Sequence, residues 1–221
     1  MIAVTFALPS ESSDFRRRLG DHARDVAILH TGVGEKICRQ RIGPFLGSQP
    51  LDFVISSGYA GGVEPSLGVG ELLLAENFSE PALLARARTL LNCRVAKLAT
   101  VNRIVQSSDE RDEFAREHNA AAVDMETQWI ADACASRKIP FLSLRVISDT
   151  AAAPFPAPPQ VLFDLERQCT SPRRLFGYLL RHPIGIGRLI RFARQVGIAR
   201  ANLAAALEVV IRELKPPANP E

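Results

Sequence analysis

Two carboxylates in the second half of the chain stand where predicted elements begin or end. Glu126 precedes a helix with one apolar face, and Asp149 follows the mostly apolar run from Phe141 to Ile147. That run is too short for a helix with a face of its own, so it indicates a buried strand. In open α/β sheets, ligands bind beyond the carboxyl ends of the strands. We therefore expect Glu126 and Asp149 to face one crevice, where carboxyl groups can act as acids or bases.

The elements that must position these two groups alternate between strands and helices. The helix after Glu126 carries Ile130 and Cys134 four residues apart, as expected for a helix packed on a sheet. The segment Asp109–His118, which precedes Glu126, is expected to form a solvated, charged helix with no chemical role. Earlier in the chain the patterns predict strands at Ile2–Leu8, Val26–Leu29, Phe53–Ser57 and Leu72–Ala75, a helix at Pro81–Leu91, and a strand with its loop at Arg94–Val105.

Glu11 lies just past the end of the first predicted strand, in the first turn of a helix. Taken alone, a carboxylate there is best explained as a partner for the helix dipole. Gly32 and Gly34 follow the second strand, where glycines allow a tight turn and a close backbone approach by a ligand. Ile37 stands where a dinucleotide fingerprint needs its third glycine, so we exclude an NAD site.

A stretch of small residues, Gly58–Val63, follows the third predicted strand. Glycines at a strand end allow backbone amides to line a pocket, and they serve an ordinary turn equally well. The residues alone leave both interpretations open.

Composition limits the classes of protein that this chain can be. Its 221 residues suffice for one domain with a large core, and 47% of them are hydrophobic. The net charge of +3 argues against a dedicated nucleic-acid binder. The four cysteines are widely spaced without a CxxC pair, which predicts reduced thiols, no metal site and a cytoplasmic location. We expect neither a secretory signal nor a membrane span, since no apolar run reaches about 18 residues.

The composition changes after Asp149. The proline-rich segment 151–159 predicts an irregular loop, which is either a lid over the crevice or a plain connector. We predict a single domain over 1–221, in which residues 151–215 form a helical C-terminal extension and residues 216–221 a flexible tail.

The helical pattern of the extension begins near Leu175. It combines an apolar stripe with many arginines. The extension is therefore expected either to dock on the core with a basic outer face or to contact a membrane surface or an apolar substrate. The stripe consists of Leu203, Leu207, Val210 and Leu214.

Three motifs of this sequence closely resemble the nucleoside phosphorylase family. They are Gly58-Tyr59-Ala60-Gly61-Gly62-Val63, Val123-Asp124-Met125-Glu126 and Arg145-Val146-Ile147-Ser148-Asp149. The similarity runs collinearly from Met1 to about Thr150 and is nearest to the methylthioadenosine/S-adenosylhomocysteine nucleosidases. The C-terminal segment looks more like the tail of the hopanoid-associated phosphorylases, which are thought to remove adenine from adenosylhopane. The resemblance implies a three-layer α/β/α sandwich around a mixed, partly barrel-like central sheet, with the active site at strand ends.

The resemblance also implies roles for individual residues. Asp149 would lie against the purine and deliver a proton towards N7, and Ser148 would help to orient Asp149. Glu11 would hold the attacking water. A purine anion is a poor leaving group, and a positioned acid is worth roughly 10²–10⁴-fold in rate. A buried position beside other carboxylates would keep Asp149 protonated near neutral pH. The substrate would be held by Glu126 at the ribose hydroxyls, by Met125 beneath the sugar, and by Asp124, Gly58, Tyr59, Ala60 and Ile104.

Water is favoured over phosphate as the nucleophile. Phosphorolytic relatives carry arginines and a serine at places that correspond here to Glu11, Ser56 and Tyr59. A glutamate in such a place would repel phosphate when the charges are poorly screened. The arginines at 16–18 could still reach a phosphate from the next helical turn, so phosphorolysis remains an alternative.

Three departures from the family pattern concern the substrate more than the reaction. The insert between the strands near Leu74 and Val95 is short, Ile104 stands near the place of the purine-stacking phenylalanine, and Asp124 replaces the usual glutamate. A more open 5′ side would suit a bulky or lipidic 5′ group.

These observations predict a cytoplasmic N-ribosyl hydrolase that acts on a 5′-modified adenosine, needs no metal or other cofactor, binds no nucleic acid and forms a homo-oligomer. One alternative is an adenosylhopane-type nucleosidase with peripheral membrane contact through its C-terminal helices. The others are a phosphate-dependent nucleoside phosphorylase and a non-catalytic nucleoside-binding protein.

Overall fold

The computed structural model describes residues 1–105, 107–156, 161, 163–164, 169–170 and 185–214. Among these, eight strands form one mixed sheet and six α-helices and one 3₁₀ helix lie around it. The sheet strands are β1 Ile2–Phe6, β2 Val26–His30, β3 Phe53–Gly62, β4 Leu72–Ala75, β5 Arg94–Ala96, β6 Leu98–Thr100, β7 Ala122–Asp124 and β8 Phe141–Asp149. The helices are α1 Ser13–Arg18, the 3₁₀ helix Gly20–Asp25, α2 Glu35–Gly47, α3 Pro81–Leu90, α4 Ser108–His118, α5 Thr127–Ala135 and α6 Gly185–Leu214.

The sheet is open, with the strand order β2-β1-β3-β8-β4-β5. Neighbours along this order run parallel except β4 and β8, which are antiparallel. The end of β3 also pairs antiparallel with β7, and β7 pairs parallel with β6. The mixed α/β architecture predicted from the sequence is confirmed.

The two faces of the sheet bury separate apolar clusters, because alternate residues of a strand point to opposite faces. On β1, Ile2, Val4 and Phe6 pack with α1, α3 and α6, whereas Ala3 packs with α2 and α5. The sheet therefore lies between two layers of helices, which gives three layers in all. The predicted apolar stripe of α6 is confirmed as well, since all four of its residues are buried in the first of these clusters.

Local signals in the sequence explain where two of the helices begin. Glu80 caps α3 by accepting hydrogen bonds from two backbone amides, and Pro81 follows at the first helical position. Ser107 and Glu110 form a capping box at the start of α4. These helices fall close to the predicted segments.

Two predictions differ from the structure. The strand predicted to end at Ser57 continues to Gly62, because the small residues pair with β8 and β7 instead of turning away. Helix α4 is not fully solvated, since Arg111 is 1% exposed.

The C-terminal segment is described only in part. It holds a small antiparallel sheet of β9 Phe163–Asp164 and β10 Cys169–Thr170, and then α6. The predicted tail at 216–221 and the helical pattern at 175–184 lie outside the described residues. No helix in the described part of the chain has both the length and the apolar character needed to cross a membrane.

Candidate active site

Arg145 lies in the middle of β8 and is 2% exposed. Its Nη2 donates to Ser56 Oγ at 2.7 Å and to Thr127 Oγ1 at 2.6 Å, and it lies 2.9 Å from Asp124 Oδ2. A buried guanidinium needs such partners, because an unpaired charge is costly away from water. We call Arg145 with Asp124, Glu11 and Glu126 the central cluster.

Asp124 ends β7 and is held from several sides. Its Oδ1 accepts from Thr100 Oγ1 at 2.8 Å, and its Oδ2 accepts from Thr127 Oγ1 at 2.5 Å. The backbone amide of Thr127 also lies within hydrogen-bond distance of both oxygens. With Arg145 as a further partner, both carboxylate oxygens of Asp124 are bound by groups of the protein itself.

Glu11 reaches the central cluster from the loop after β1. Its Oε2 accepts from the amides of Ala7 at 3.0 Å and Leu8 at 3.4 Å. Burial raises the pKa of Glu11 to about 7, although Arg145 and the two amides oppose the shift. Glu11 lies before α1, which begins at Ser13, and not in the first turn that the sequence suggested, and its carboxyl group is buried.

Glu126 directly precedes α5 and is 7% exposed. Its Oε1 accepts from the amide of Gly34 at 2.8 Å, so the second glycine after β2 does approach a functional side chain. Burial raises the pKa of Glu126 to about 8, and the neighbouring carboxylate of Asp124 adds to the shift.

Gly58 separates two members of the central cluster. A Cβ at this position would lie 2.9 Å from both Arg145 Nη1 and Glu11 Oε2, and the φ of +145° is one that side chains rarely adopt. Glycine is therefore required here for the close approach of two charged groups. The stretch from Gly58 continues β3 and is not an ordinary turn, and the pocket-lining role of its amides stays a prediction.

Asp149 ends β8 and is 2% exposed. Its Oδ2 lies 2.5 Å from Arg111 Nη2, and its Oδ1 accepts from Ser148 Oγ at 2.6 Å. We call Asp149 with Arg111 the strand-end pair. The sequence predicted that other carboxylates would lie beside Asp149. In the structure, its charged partner is the guanidinium of Arg111 instead.

Strand register brings the strand-end pair close to the central cluster. Gly58 pairs with Arg145, and Gly61 pairs with Asp149, so the two groups follow each other along β3 and β8. Gly61 also pairs with Val123 on its other side. Because neighbouring strands lie about 4.8 Å apart, Asp149 and β7, the strand that leads to Glu126, are about 10 Å apart. That Glu126 and Asp149 face one crevice stays a prediction.

The other predicted site residues lie around these groups. Ala60 O accepts from Ser148 Oγ at 3.4 Å. Tyr59 is half-buried against the core on the α6 side, and burial together with the nearby Glu11 raises its pKa. Met125 is half-buried between two members of the central cluster, and Ile104 is half-buried in the loop before α4.

Sequence reasoning missed both arginines as members of the site. Arg145 interrupts the apolar run that predicted a buried strand, and a charge in such a run is a usable signal for a buried ion pair. Arg111 shares a helical face with Phe114 and Ala115, which pack in a small core cluster with Val105. That signal was hidden by the many charged residues of α4.

In the described ranges, no group of three or more histidines, cysteines, aspartates or glutamates is arranged to hold a metal ion. A cavity of about 650 Å³ lies between β4, the end of α3 and α6, and none of the predicted site residues is among those described as lining it.

The chain resembles known proteins in sequence. Residues 77–169 match the model of the Phosphorylase superfamily, a range that contains both Glu126 and Asp149. The 5′-methylthioadenosine/S-adenosylhomocysteine nucleosidase of Staphylococcus epidermidis is 21% identical over 198 residues, which cover 68% of this chain and 87% of that protein. The nucleosidase of the same name from Glaesserella parasuis is 27% identical over 158 residues, covering 58% of this chain and 69% of that protein. The predicted resemblance is confirmed.

The fold is also similar to that of solved structures. The futalosine hydrolase of Helicobacter pylori aligns with a TM-score of 0.72 at 17% identity, over 96% of this chain and 97% of that chain. A methylthioadenosine/S-adenosylhomocysteine nucleosidase of the same organism, in complex with an inhibitor, aligns with a TM-score of 0.70 at 15% identity, over 96% of this chain and 97% of that chain. At these identities the similarity establishes the shared fold.

Proposed function

We propose that this chain is a purine nucleosidase that hydrolyses the N-glycosidic bond of a 5′-modified adenosine of the methylthioadenosine or S-adenosylhomocysteine kind. The observation that carries the proposal is that Glu11, Glu126 and Asp149 follow or end three strands, β1, β7 and β8, which all pair with β3. The similarity to nucleosidases over most of the chain supports the same reaction.

In the proposed reaction, Asp149 is the acid for the departing base. Hydrolysis leaves an oxocarbenium-like sugar and a purine anion, and protonation of the purine removes the charge that makes it a poor leaving group. Ser148 orients the carboxyl group through its 2.6 Å hydrogen bond to Oδ1. Positioned acid catalysis of this kind is worth roughly 10²–10⁴-fold.

Glu126 accepts hydrogen bonds from the ribose hydroxyls in this proposal. Its Oε1 is fixed by the amide of Gly34, which leaves Oε2 for the sugar. When Glu126 is ionised, its negative charge also stabilises the positive charge that develops on the ribose. Met125 packs beneath the sugar, and Asp124 supports Glu126 from the framework side.

Glu11 holds and deprotonates the attacking water. Its pKa of about 7 suits a general base, since the most effective base has a pKa near the operating pH. The water is placed between Glu11 and the guanidinium of Arg145, which approach each other across Gly58.

Charge distribution favours water over phosphate. The guanidinium of Arg145 is already paired with Asp124, and Glu11 and Glu126 add two further carboxyl groups to the same interior. When Glu11 and Glu126 are ionised, a phosphate dianion would meet more negative than positive groups there.

Two further properties belong to the proposal. A single domain that forms a cytoplasmic homo-oligomer follows from the resemblance to the phosphorylases, and sedimentation velocity of the purified chain tests the oligomer.

A peripheral membrane contact is supported by the first half of α6, where exposed isoleucines and arginines share one side of the helix. Sedimentation with vesicles containing anionic lipid tests that contact. The residues concerned are Ile190, Arg191, Arg194 and Ile198.

The deciding experiment is base release from methylthioadenosine by the purified chain, followed by chromatography with and without phosphate. We expect free adenine and free sugar at the same rate in both buffers. Asp149→Asn should abolish release, whereas Asp132→Asn, on the exposed side of α5, should not change it. Release only with phosphate would make the chain a phosphorylase, and binding without release would make it a nucleoside-binding protein.

A further inference from the structure

Arg111 is the largest of the fully buried side chains among the described residues, although it belongs to a helix in which most residues are charged. Its neighbours Asp112 and Glu113 on α4 are exposed. Burial of a guanidinium costs several kcal/mol even when it is paired, and an apolar residue of similar size is often as stable or more stable. Stability alone therefore does not account for an arginine at this position.

The contacts of Arg111 connect three separate segments. Nη1 donates to Gly62 O at 2.7 Å at the end of β3, and Nη2 donates to Val105 O at 3.2 Å in the loop before α4. Nη2 also lies 2.5 Å from Asp149 Oδ2. Nε has no hydrogen-bond partner among the described residues. The guanidinium thus binds the acid of the proposed reaction, the glycine-rich strand and the loop that carries Ile104.

The carboxyl group of Asp149 has few other neighbours that could set its position or charge. Ser148 donates to its other oxygen, and Gly61 on β3 contributes no side chain. Among the described residues in contact with Asp149, Arg111 alone carries a charge. Burial of a carboxyl group favours the acid form, whereas a guanidinium in contact favours the carboxylate.

We infer that Arg111 is a positioning residue for Asp149: it fixes the carboxyl group between two strands and a loop, in the place from which Asp149 meets the base. The inference rests on the proposed function, in which Asp149 meets the purine. Arg111 acts through Asp149 and does not itself touch the substrate.

The test uses Arg111→Gln and Arg111→Lys, each alone and combined with Asp149→Asn. Arg111→Gln should lower kcat/KM for methylthioadenosine roughly 10- to 100-fold, the size of one hydrogen bond to a charged group. Lysine keeps the charge but loses the planar fork, so it should restore only part of the activity. Arg103→Gln, which removes an exposed arginine from the same segment, is the matched control and should have wild-type kinetics.

Two readouts separate positioning from a merely structural role. In the Asp149→Asn background, Arg111→Gln should cost less than about threefold, because groups that act as a unit are not additive. In the wild-type background, Arg111→Lys should recover part of the loss, because it keeps a positive charge beside Asp149. Equal losses from Arg111→Gln in both backgrounds, or no recovery with lysine, would overturn the inference.

Adenine binding, measured by calorimetry, tests the same coupling without turnover. Arg111→Gln and Asp149→Asn should weaken adenine binding to a similar extent, and the double variant should be no weaker than either. If the wild type releases no base, the proposed function fails while this coupling still decides the role of Arg111. Additive losses in adenine affinity, with thermal melting showing all variants folded, would contradict the inference.

Discussion

The central cluster and the strand-end pair bury their charges in different ways. In the central cluster, three carboxyl groups share the guanidinium of Arg145, whereas in the strand-end pair one carboxyl group has one guanidinium. Burial therefore leaves Glu11 and Glu126 with pKa values of about 7 and 8. The difference teaches that this fold buries carboxyl groups with a raised pKa in the central cluster, and a carboxyl group held by a guanidinium at the end of β8.

Desolvation and contact with a guanidinium both act on the carboxyl groups of the central cluster and of the strand-end pair, but to different extents. Desolvation favours the neutral form of every buried carboxyl group, and contact with a guanidinium favours the charged form. Asp124 and Asp149 each touch a guanidinium directly, whereas Glu11 and Glu126 depend mainly on backbone amides. Substitutions that change one side at a time can break or sharpen this contrast.

The largest effect is expected at the strand-end pair. Asp149→Asn removes the proton that the departing base needs while it preserves the size of the side chain and its ability to accept from Arg111. Turnover of methylthioadenosine should fall roughly 10²–10⁴-fold, measured by adenine release at saturating substrate. Wild-type turnover would remove Asp149 from the role of acid, and the contrast between the two regions would then have no catalytic meaning.

A smaller effect is expected at Glu11 in the central cluster. Glu11→Gln keeps the hydrogen bonds from Ala7 and Leu8 possible but cannot accept a proton from water, so kcat should fall about 100-fold. In the wild type, Glu11 must be ionised to act as a base, so activity should rise with pH through about 7. The variant should lose this rise, and a variant that kept it would assign the titration to another group.

The sequence predicted the strand and the helix that border the site better than the contacts among its charged side chains. The strand ending at Asp149 and the helix beginning after Glu126 both follow from apolar patterning, because burial on both faces gives β8 a nearly continuous apolar run. The placement of Glu11 beside Gly58 could not follow from patterning. It depends on the parallel pairing of β1 with β3, a contact between residues far apart in the chain.

The extension of β3 through Gly62 shows why the rest could not be predicted. Glycine-rich segments are poor strand formers, so local propensity argued for a turn. Tertiary pairing with β8 and β7 overrides that propensity. The same override buries Arg111, whose helix is charged in sequence and whose partners come from three other parts of the chain.

A more modest effect is expected at Glu126, where the proposed role is recognition of the ribose. Glu126→Gln keeps the size of the side chain but weakens hydrogen bonds to the hydroxyls, so KM should rise about tenfold. The rise should be smaller for a 2′-deoxy substrate, which has already lost one hydroxyl. An equal rise for both substrates would place Glu126 away from the 2′ position, and wild-type kinetics would remove it from the site.

The smallest expected effect is on stability, and it follows from the same crowding of carboxyl groups. Burial raises the pKa of Glu126 from 4.5 to about 8, so between these values the unfolded chain loses a proton that the folded chain retains. Stability is then fully present below about pH 4.5 and falls as the pH rises towards 8. Glu126→Gln removes this penalty, so its melting temperature should match the wild type near pH 4.5 and exceed it by about 3 °C at pH 9. Glu117→Gln, at an exposed position of α4, is the control and should show no such dependence. A variant that melts below the wild type at pH 9 would mean that the hydrogen bond from Gly34 outweighs desolvation, and that the charge of Glu126 stabilises the central cluster.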